Sequence, residues 1–215
     1  MGKATPRRNH LQEEQHARTR ALILQAALQI FSTNGYVDSS IGQILTCADV
    51  SRAAFYSHFD GKLAIVQAIA ADYEPQWHPV FHHLADLRDP GMPELIEWAS
   101  RHLTLHRSNL EICTLLTQVT ALEESLYWQV SRQRDALIDM LADHHPAFAA
   151  AKVNSEILLE ARILLWTVDQ TCFHIVRQHL PDPDSTAAKI IASQMLHFLE
   201  SHGTHRNPKS PTMDG

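Results

Sequence analysis

Glycine is scarce, with 7 in 215 residues, and alternating β-branched stretches are few. Both absences argue against a sheet-based fold, because strands need tight turns and a two-residue apolar period. Cysteine is rarer still: Cys47, Cys113 and Cys172 are widely spaced and form no Cys-x-x-Cys pair. That excludes a disulfide framework or zinc finger and fits a reducing compartment, so a cytoplasmic protein is expected. No apolar run is long enough to span a bilayer; the stretches at 63–71 and 163–166 are interrupted or short. The N-terminus is polar and basic with no apolar run behind it, so no signal peptide is expected. A Gly-rich phosphate loop and a Gly-x-Ser-x-Gly elbow are also missing. The Glu-x-x-His element that a helical di-iron site needs twice occurs only at Glu13–His16. Neither an enzyme nor a cofactor is therefore expected.

What is present is ordinary for a globular chain: 45% hydrophobic and 20% charged residues. Apolar residues recur at helical spacing almost throughout, which predicts an all-α fold. The net charge of −6 on its face discourages a nucleic-acid partner. Its distribution does not. Residues 1–59 carry six Lys/Arg against four Asp/Glu, whereas 60–215 carry 12 against 20. A mildly basic head on an acidic body suggests two jobs in one chain.

Residues 1–17 read as a polar, flexible arm and 203–215 as a disordered tail. The first helix is expected over 18–34, closed by Gly35 in a left-handed turn. Ser40-x-x-Gln43 is a capping box that opens a short second helix. Ala48-Asp49-Val50 makes a tight connection, and Ser51 caps a third helix through Phe59. Longer helices follow: 62–87, bent or broken around Pro75 and Pro79, then 93–107, 110–122, 123–144, 154–180 and 185–201.

Two short helices joined by a tight turn at 40–59 have the dimensions of a helix-turn-helix, whose second helix lies in the major groove. Such a crossing needs small or apolar inner residues, and Ile44, Leu45, Ala48, Val50 and Phe55 supply them. Its outer side needs small or polar residues, and Ser51, Arg52, Ala53, Ala54 and Ser57 fit.

Here the sequence resembles the TetR (tetracycline-repressor-like) family of bacterial regulators. The resemblance is carried by Ile23-Leu24-Gln25-Ala26-Ala27, Phe31, Gly35-Tyr36, Ser40-Ile41-Gly42-Gln43-Ile44, the run from Ala48 to Phe59, and Gly61-Lys62. Asp49 stands where the family usually has Gly, and Ala54 where a hydroxyl residue is common. The resemblance implies a homodimeric DNA-binding repressor with an effector pocket. The expected division is a DNA-binding domain at 18–61 and an effector-binding and dimerisation domain at 62–202. Arg52 is the candidate base reader, because a guanidinium can fork onto guanine. Tyr56, His58, Ser40 and Ser51 are candidates for phosphate contacts, with Lys62 adding charge at a helix N-terminus. Arg18 and Arg20, with the arm's Arg7 and Arg8, are candidates to reach the DNA backbone or minor groove.

A single short recognition helix reads few base pairs, so two heads are needed on a palindromic operator. The resemblance places the dimer interface on the last two helices, with Leu158, Ala161, Leu165, Val168, Ile191, Met195 and Phe198 as candidates. Ordinary core packing is the alternative for the same residues. An effector pocket is expected around Trp98, His102, Trp166, Asp169, Phe173 and His174, suited to a small lipophilic or aromatic molecule. Among 15 histidines, His78/His82 and His102/His106 are four apart, as a metal site would require. With no cysteine at suitable spacing, they read as a solvated face and no metal is expected; a metal-responsive or activating regulator is the alternative of the same fold.

Overall fold

The computed structural model describes residues 6–182 and 185–203. Among them are eleven α-helices and no strand. They are α1 (Pro6–Asn34), α2 (Ile41–Ala48), α3 (Arg52–Tyr56), α4 (Lys62–Tyr73), α5 (His78–Asp86), α6 (Met92–Ser108), α7 (Leu110–Thr120), α8 (Glu124–Ala142), α9 (Pro146–Ala151), α10 (Ser155–Arg177) and α11 (Thr186–Gly203). The all-α expectation holds, with two differences in detail.

The first is the arm. From Pro6 onward it is helix continuous with α1, because Gln12 to Gln15 are good helix formers. His10 Nδ1 also lies 3.1 Å from the Glu14 carboxylate one turn on. A helix exposed all round has no apolar period to betray it. The expected tail beyond Gly203 lies outside the described residues. The second is α9. Pro146 ends α8 as expected, but it also opens a new helix, since a first-turn proline lacks only an N–H that has no partner anyway. Pro75 and Pro79 show the same division of labour. The chain breaks through a 3-10 turn at Glu74–Gln76, and Pro79 sits in the first turn of α5.

The chain forms two compact units. The first contains α1–α4, α7 and the start of α8. Here α1 packs on α2, α4 and α7, and α4 also packs on α7. Ile23, Ala27, Ile44, Phe55, Ile65, Val66 and Val119 form its core. The division is thus not at residue 61: α4 and the segment Asn109–Ser131 belong to the same unit as the helix-turn-helix. Fully burying one such side chain is worth roughly 1.5–3 kcal/mol, and Ile65, Val66 and Ile69 give α4 a buried strip in the unit where it packs on α1 and α7.

The second unit contains α5, α6, the rest of α8, and α9–α11. In it α11 packs on α6, α9 and α10, and α10 on α6 and α9. Ala161, Leu165, Val168, Ile191, Met195 and Phe198 are buried in this unit's own core, and Leu158 is half-buried. The residues expected at a dimer interface are therefore already used within the protomer. The apolar residues left open on the same helices are others: Leu159 (57% exposed), Ile163 (51%) and Trp166 (55%) on α10, and Ile190 (51%) on α11. Both helices are apolar on more than one face, and the helical period does not say which face the chain keeps for itself.

Candidate nucleic-acid interface and a buried polar cluster

The helix-turn-helix is assembled by local devices. Gly35 ends α1 at φ +80°, donating its N–H to the Phe31 carbonyl at 2.9 Å. Ser40 caps α2 in both directions: Oγ accepts the Gln43 N–H at 3.3 Å, and Gln43 Oε1 accepts the Ser40 N–H at 2.8 Å. Asp49 closes α2 in the left-handed conformation, at φ 52° and ψ 47°. Both it and Val50 donate N–H groups to the Leu45 carbonyl. Ser51 then caps α3 by accepting the Ala54 N–H at 3.1 Å.

This geometry sorts the side chains of α3. Phe55 is fully buried with Ile44, Ala48 and Phe59, while Ser51, Arg52, Ala53, Tyr56 and Ser57 are exposed and Ala54 is half-buried. Ser51 spends a lone pair on its cap but keeps its O–H, and Ser57 donates its own to the Ala54 carbonyl at 2.7 Å. Tyr56 is 45% exposed, with its ring edge on Phe55, which leaves the phenol outside the core.

The surrounding cations divide unequally. Arg18 is exposed. Arg20 is engaged by Asp72 of α4 in a two-pronged ion pair at 2.9 and 3.2 Å. Lys62 has a role other than the one expected of it. Its ammonium donates to the carbonyls of Tyr36, Val37 and Ser39 at 2.7, 3.1 and 2.7 Å and lies 4.8 Å over the Tyr36 ring. Three donors meet three acceptors, so Lys62 braces the α1–α2 connection and has no hydrogen left for a phosphate. His58 is half-buried against His16, with ring centroids 3.9 Å apart. Burial, then the nearby His16 and Arg20, pushes its pKa down, which favours the neutral ring over a phosphate-binding cation. Ser40 is exposed, but its hydroxyl is occupied by Gln43.

The second unit holds a polar cluster inside apolar surroundings. Asp169 of α10 accepts a hydrogen bond from His102 Nε2 at 3.0 Å on one oxygen. On the other it meets Arg134 of α8, from Nε at 2.9 Å and Nη2 at 2.8 Å. Burial works to raise the Asp169 carboxyl, but Arg134 and the His102 hydrogen bond hold it well below the usual carboxylate range. His102 is 1% exposed and packs among Phe81, Trp98 and His106, at ring distances of 5.5, 5.9 and 5.0 Å. Of the expected pocket residues, Trp98, His102, Asp169 and Phe173 come inside. Trp166 and His174 do not; both are exposed on the outer side of α10. A separate, polar cleft of about 1130 Å³ lies between the α5–α6 connection, the start of α9 and the end of α11, with Asp86, Arg88, Asp143 and Glu200 in its lining.

His102 and His106 are not a solvated pair: they are 1% and 7% exposed, and Cys172 of α10 lies against them. Each of the three offers a ligand atom, and these atoms lie within 4.8 Å of one another. His78 and His82, with the same spacing, are exposed. Nothing in the sequence marks Arg134, which has the pattern of any surface cation on α8. The i,i+4 histidines did give a signal for the cluster, but its third member is 66 positions further on.

Residues 23–69 match the family model described as bacterial regulatory proteins, tetR family. The chain is 42% identical over 62 residues to TtgW of Pseudomonas putida, an uncharacterized HTH-type transcriptional regulator, covering 29% of this chain and 44% of that protein. It is 45% identical over 53 residues to the HTH-type transcriptional repressor BepR of Brucella suis biovar 1, covering 25% of each. The chain thus spans less than half the length of the curated relatives it matches. Among solved structures, GusR of Salmonella enterica superposes with a TM-score of 0.65 at 20% identity, covering 85% of this chain and 96% of that one. The fatty acid degradation regulator FadR of Bacillus halodurans gives 0.62 at 13% identity, covering 91% and 97%. At such identities the likeness is one of fold. Over residues 23–69 the chain thus carries a helix-turn-helix segment of the kind found in bacterial regulatory proteins of the tetR family.

Proposed function

We propose that this protein is a cytoplasmic DNA-binding transcriptional repressor that acts as a homodimer and leaves a palindromic operator when a small molecule binds its second unit. The observation that carries the reading is the sorting of α3. One side is buried with Ile44 and Phe55, and the other presents Ser51, Arg52, Ala53, Tyr56 and Ser57 together. Arg52 reads a base, and Tyr56 with the Ser51 hydroxyl holds phosphates. Arg18 adds a backbone contact. One relative, BepR, is a transcriptional repressor.

A five-residue recognition helix reads too little sequence alone, so two are needed at half-sites about one turn apart or a multiple of it. Leu159, Ile163 and Trp166 share a face of α10 at helical spacing and, with Ile190 of α11, supply the apolar surface for pairing. In the second unit the Trp98 indole N–H is fully buried and has no hydrogen-bond partner. It suits an effector that is aromatic or lipophilic and carries one acceptor.

Selection of bound sequences from random DNA, followed by gel shift, tests the reading. Arg52→Ala is expected to weaken binding and relax preference at one base position. Ile163→Asp is expected to sediment as a monomer and to bind far more weakly. Failure of the unaltered protein to shift any selected or promoter-length fragment at low salt overturns it.

A further inference from the structure

We propose that His102, His106 and Cys172 form a buried binding site for a thiophilic d10 transition-metal ion, with the cuprous ion preferred. His102 and His106 stand one turn apart on α6, and Cys172 reaches them from α10. All three are buried, with Cys172 at 0% exposure and reduced.

Both imidazoles already have the tautomers that metal ligands need. The Asp169 carboxylate and the His102 carbonyl can only accept, so His102 donates from Nε2 and His106 from Nδ1. Donation fixes each tautomer and leaves the lone pair on His102 Nδ1 and His106 Nε2. His102 Nδ1 is enclosed and has no hydrogen-bond partner, although its residue is 1% exposed. A buried acceptor without a donor is unusual, and a metal ion answers it. Asp169, held in place by Arg134, is the outer-shell carboxylate behind the first ligand.

The donor set selects the ion. Two imidazoles and a thiolate, with no carboxylate or carbonyl at the centre, do not suit magnesium or calcium. They suit zinc and copper. Charge decides between these two. Binding releases the Cys172 thiol proton to solvent and leaves one negative charge on sulfur. Asp169 is balanced by Arg134. A monovalent ion therefore makes the buried centre neutral, whereas Zn2+ leaves it a net positive charge with few groups to solvate it.

The test is a titration of the full chain in a Cys47→Ser background, which removes the exposed thiol. Cu+ is titrated against a coloured cuprous chelator, and Zn2+ against a zinc dye. Co2+ is added separately as a spectroscopic probe of thiolate ligation. One Cu+ per chain is expected, weakened at least 100-fold by Cys172→Ser and by His106→Gln, with circular dichroism confirming that each variant folds. A cobalt–thiolate charge-transfer band is expected and should vanish in Cys172→Ser. Zn2+ bound more tightly than Cu+, but still through Cys172, upholds the site and overturns the charge argument. Binding of both metals unchanged by Cys172→Ser and His106→Gln would reflect the exposed histidines alone and overturns the site. No step of this test uses DNA, so its failure leaves the regulator reading intact.

Discussion

The polar side chains that set the backbone of 40–57 find partners three or four residues away: Ser40 with Gln43, Thr46 with the Gly42 carbonyl, Ser51 with Ala54. Around Asp169 nothing is local. His102 lies 67 positions away and Arg134 lies 35 away, each on a different helix. The first region shapes a surface and leaves its outer side chains open. The second fixes three helices of the other unit by a charge network that no single helix can satisfy. Local caps are worth about 1 kcal/mol each, whereas breaking a buried ion pair costs several. The two regions should therefore fail differently when one atom group is removed.

The largest effect is expected at the network. Asp169→Ala leaves Arg134 and His102 without their acceptor and should cost about 3 kcal/mol, the lower end for a broken buried pair because Asp169 keeps some solvent contact. Chemical denaturation read by Trp fluorescence measures it. Arg134→Met in the same chain should recover part of the loss by removing the stranded cation. Absence of any recovery would mean that packing, not charge, explains the cost.

Next comes Lys62, a long-range device in the first unit, as the Arg20–Asp72 pair also is. Lys62→Met strips the hydrogen bonds from three carbonyls and should destabilise by about 2 kcal/mol. Lys62→Arg should rescue little, because a planar guanidinium fork does not match three carbonyls converging on one nitrogen. If instead Lys62→Met left stability intact and only weakened DNA binding, the phosphate role expected from its helix-terminal position would return.

That contrast also explains what was legible beforehand. Gly35 in a left-handed turn, the tight Ala48-Asp49-Val50 connection, the Ser40 capping box and the inward Phe55 all follow from nearby residues, and each is found. The bracing role of Lys62 is not legible because its acceptors lie 23–26 positions earlier, where spacing carries no signal. Trp166 and His174 were expected inside and are outside, since α10 is apolar over more than one face. Cys172 meets His102 and His106 only because α6 and α10 pack together. Most helices are readable from periodicity, the exposed start of α1 and the short α9 excepted; which faces meet is decided by tertiary packing.

A smaller effect is expected at a purely local device. Ser40→Ala removes one side of the capping box and should cost about 1 kcal/mol. Ser40→Asp, which keeps an acceptor at the cap, should restore most of it. Equal loss in both variants would argue that the hydroxyl's donation to Gln43 Oε1 at 3.0 Å matters more than its acceptance.

The smallest effect is a slope with pH, from a residue that combines both kinds of device. His145 precedes α9 and is 5% exposed, yet it donates Nε2–H to the Leu84 carbonyl, 61 positions away, at 2.9 Å. Burial lowers its pKa, the Leu84 carbonyl opposes that, and His144 alongside adds to the lowering. The folded state thus takes up the proton at lower pH than the unfolded chain does. Well above pH 6.5 both forms are neutral and His145 costs nothing. As the pH falls below about 6.5, the unfolded chain gains protons first, so stability declines until the folded pKa is passed. His145→Gln keeps an N–H for Leu84 but does not titrate. Its unfolding midpoint should therefore fall less than that of the unaltered protein between pH 7 and pH 5, and parallel pH profiles would show that the buried ring is not what senses acid.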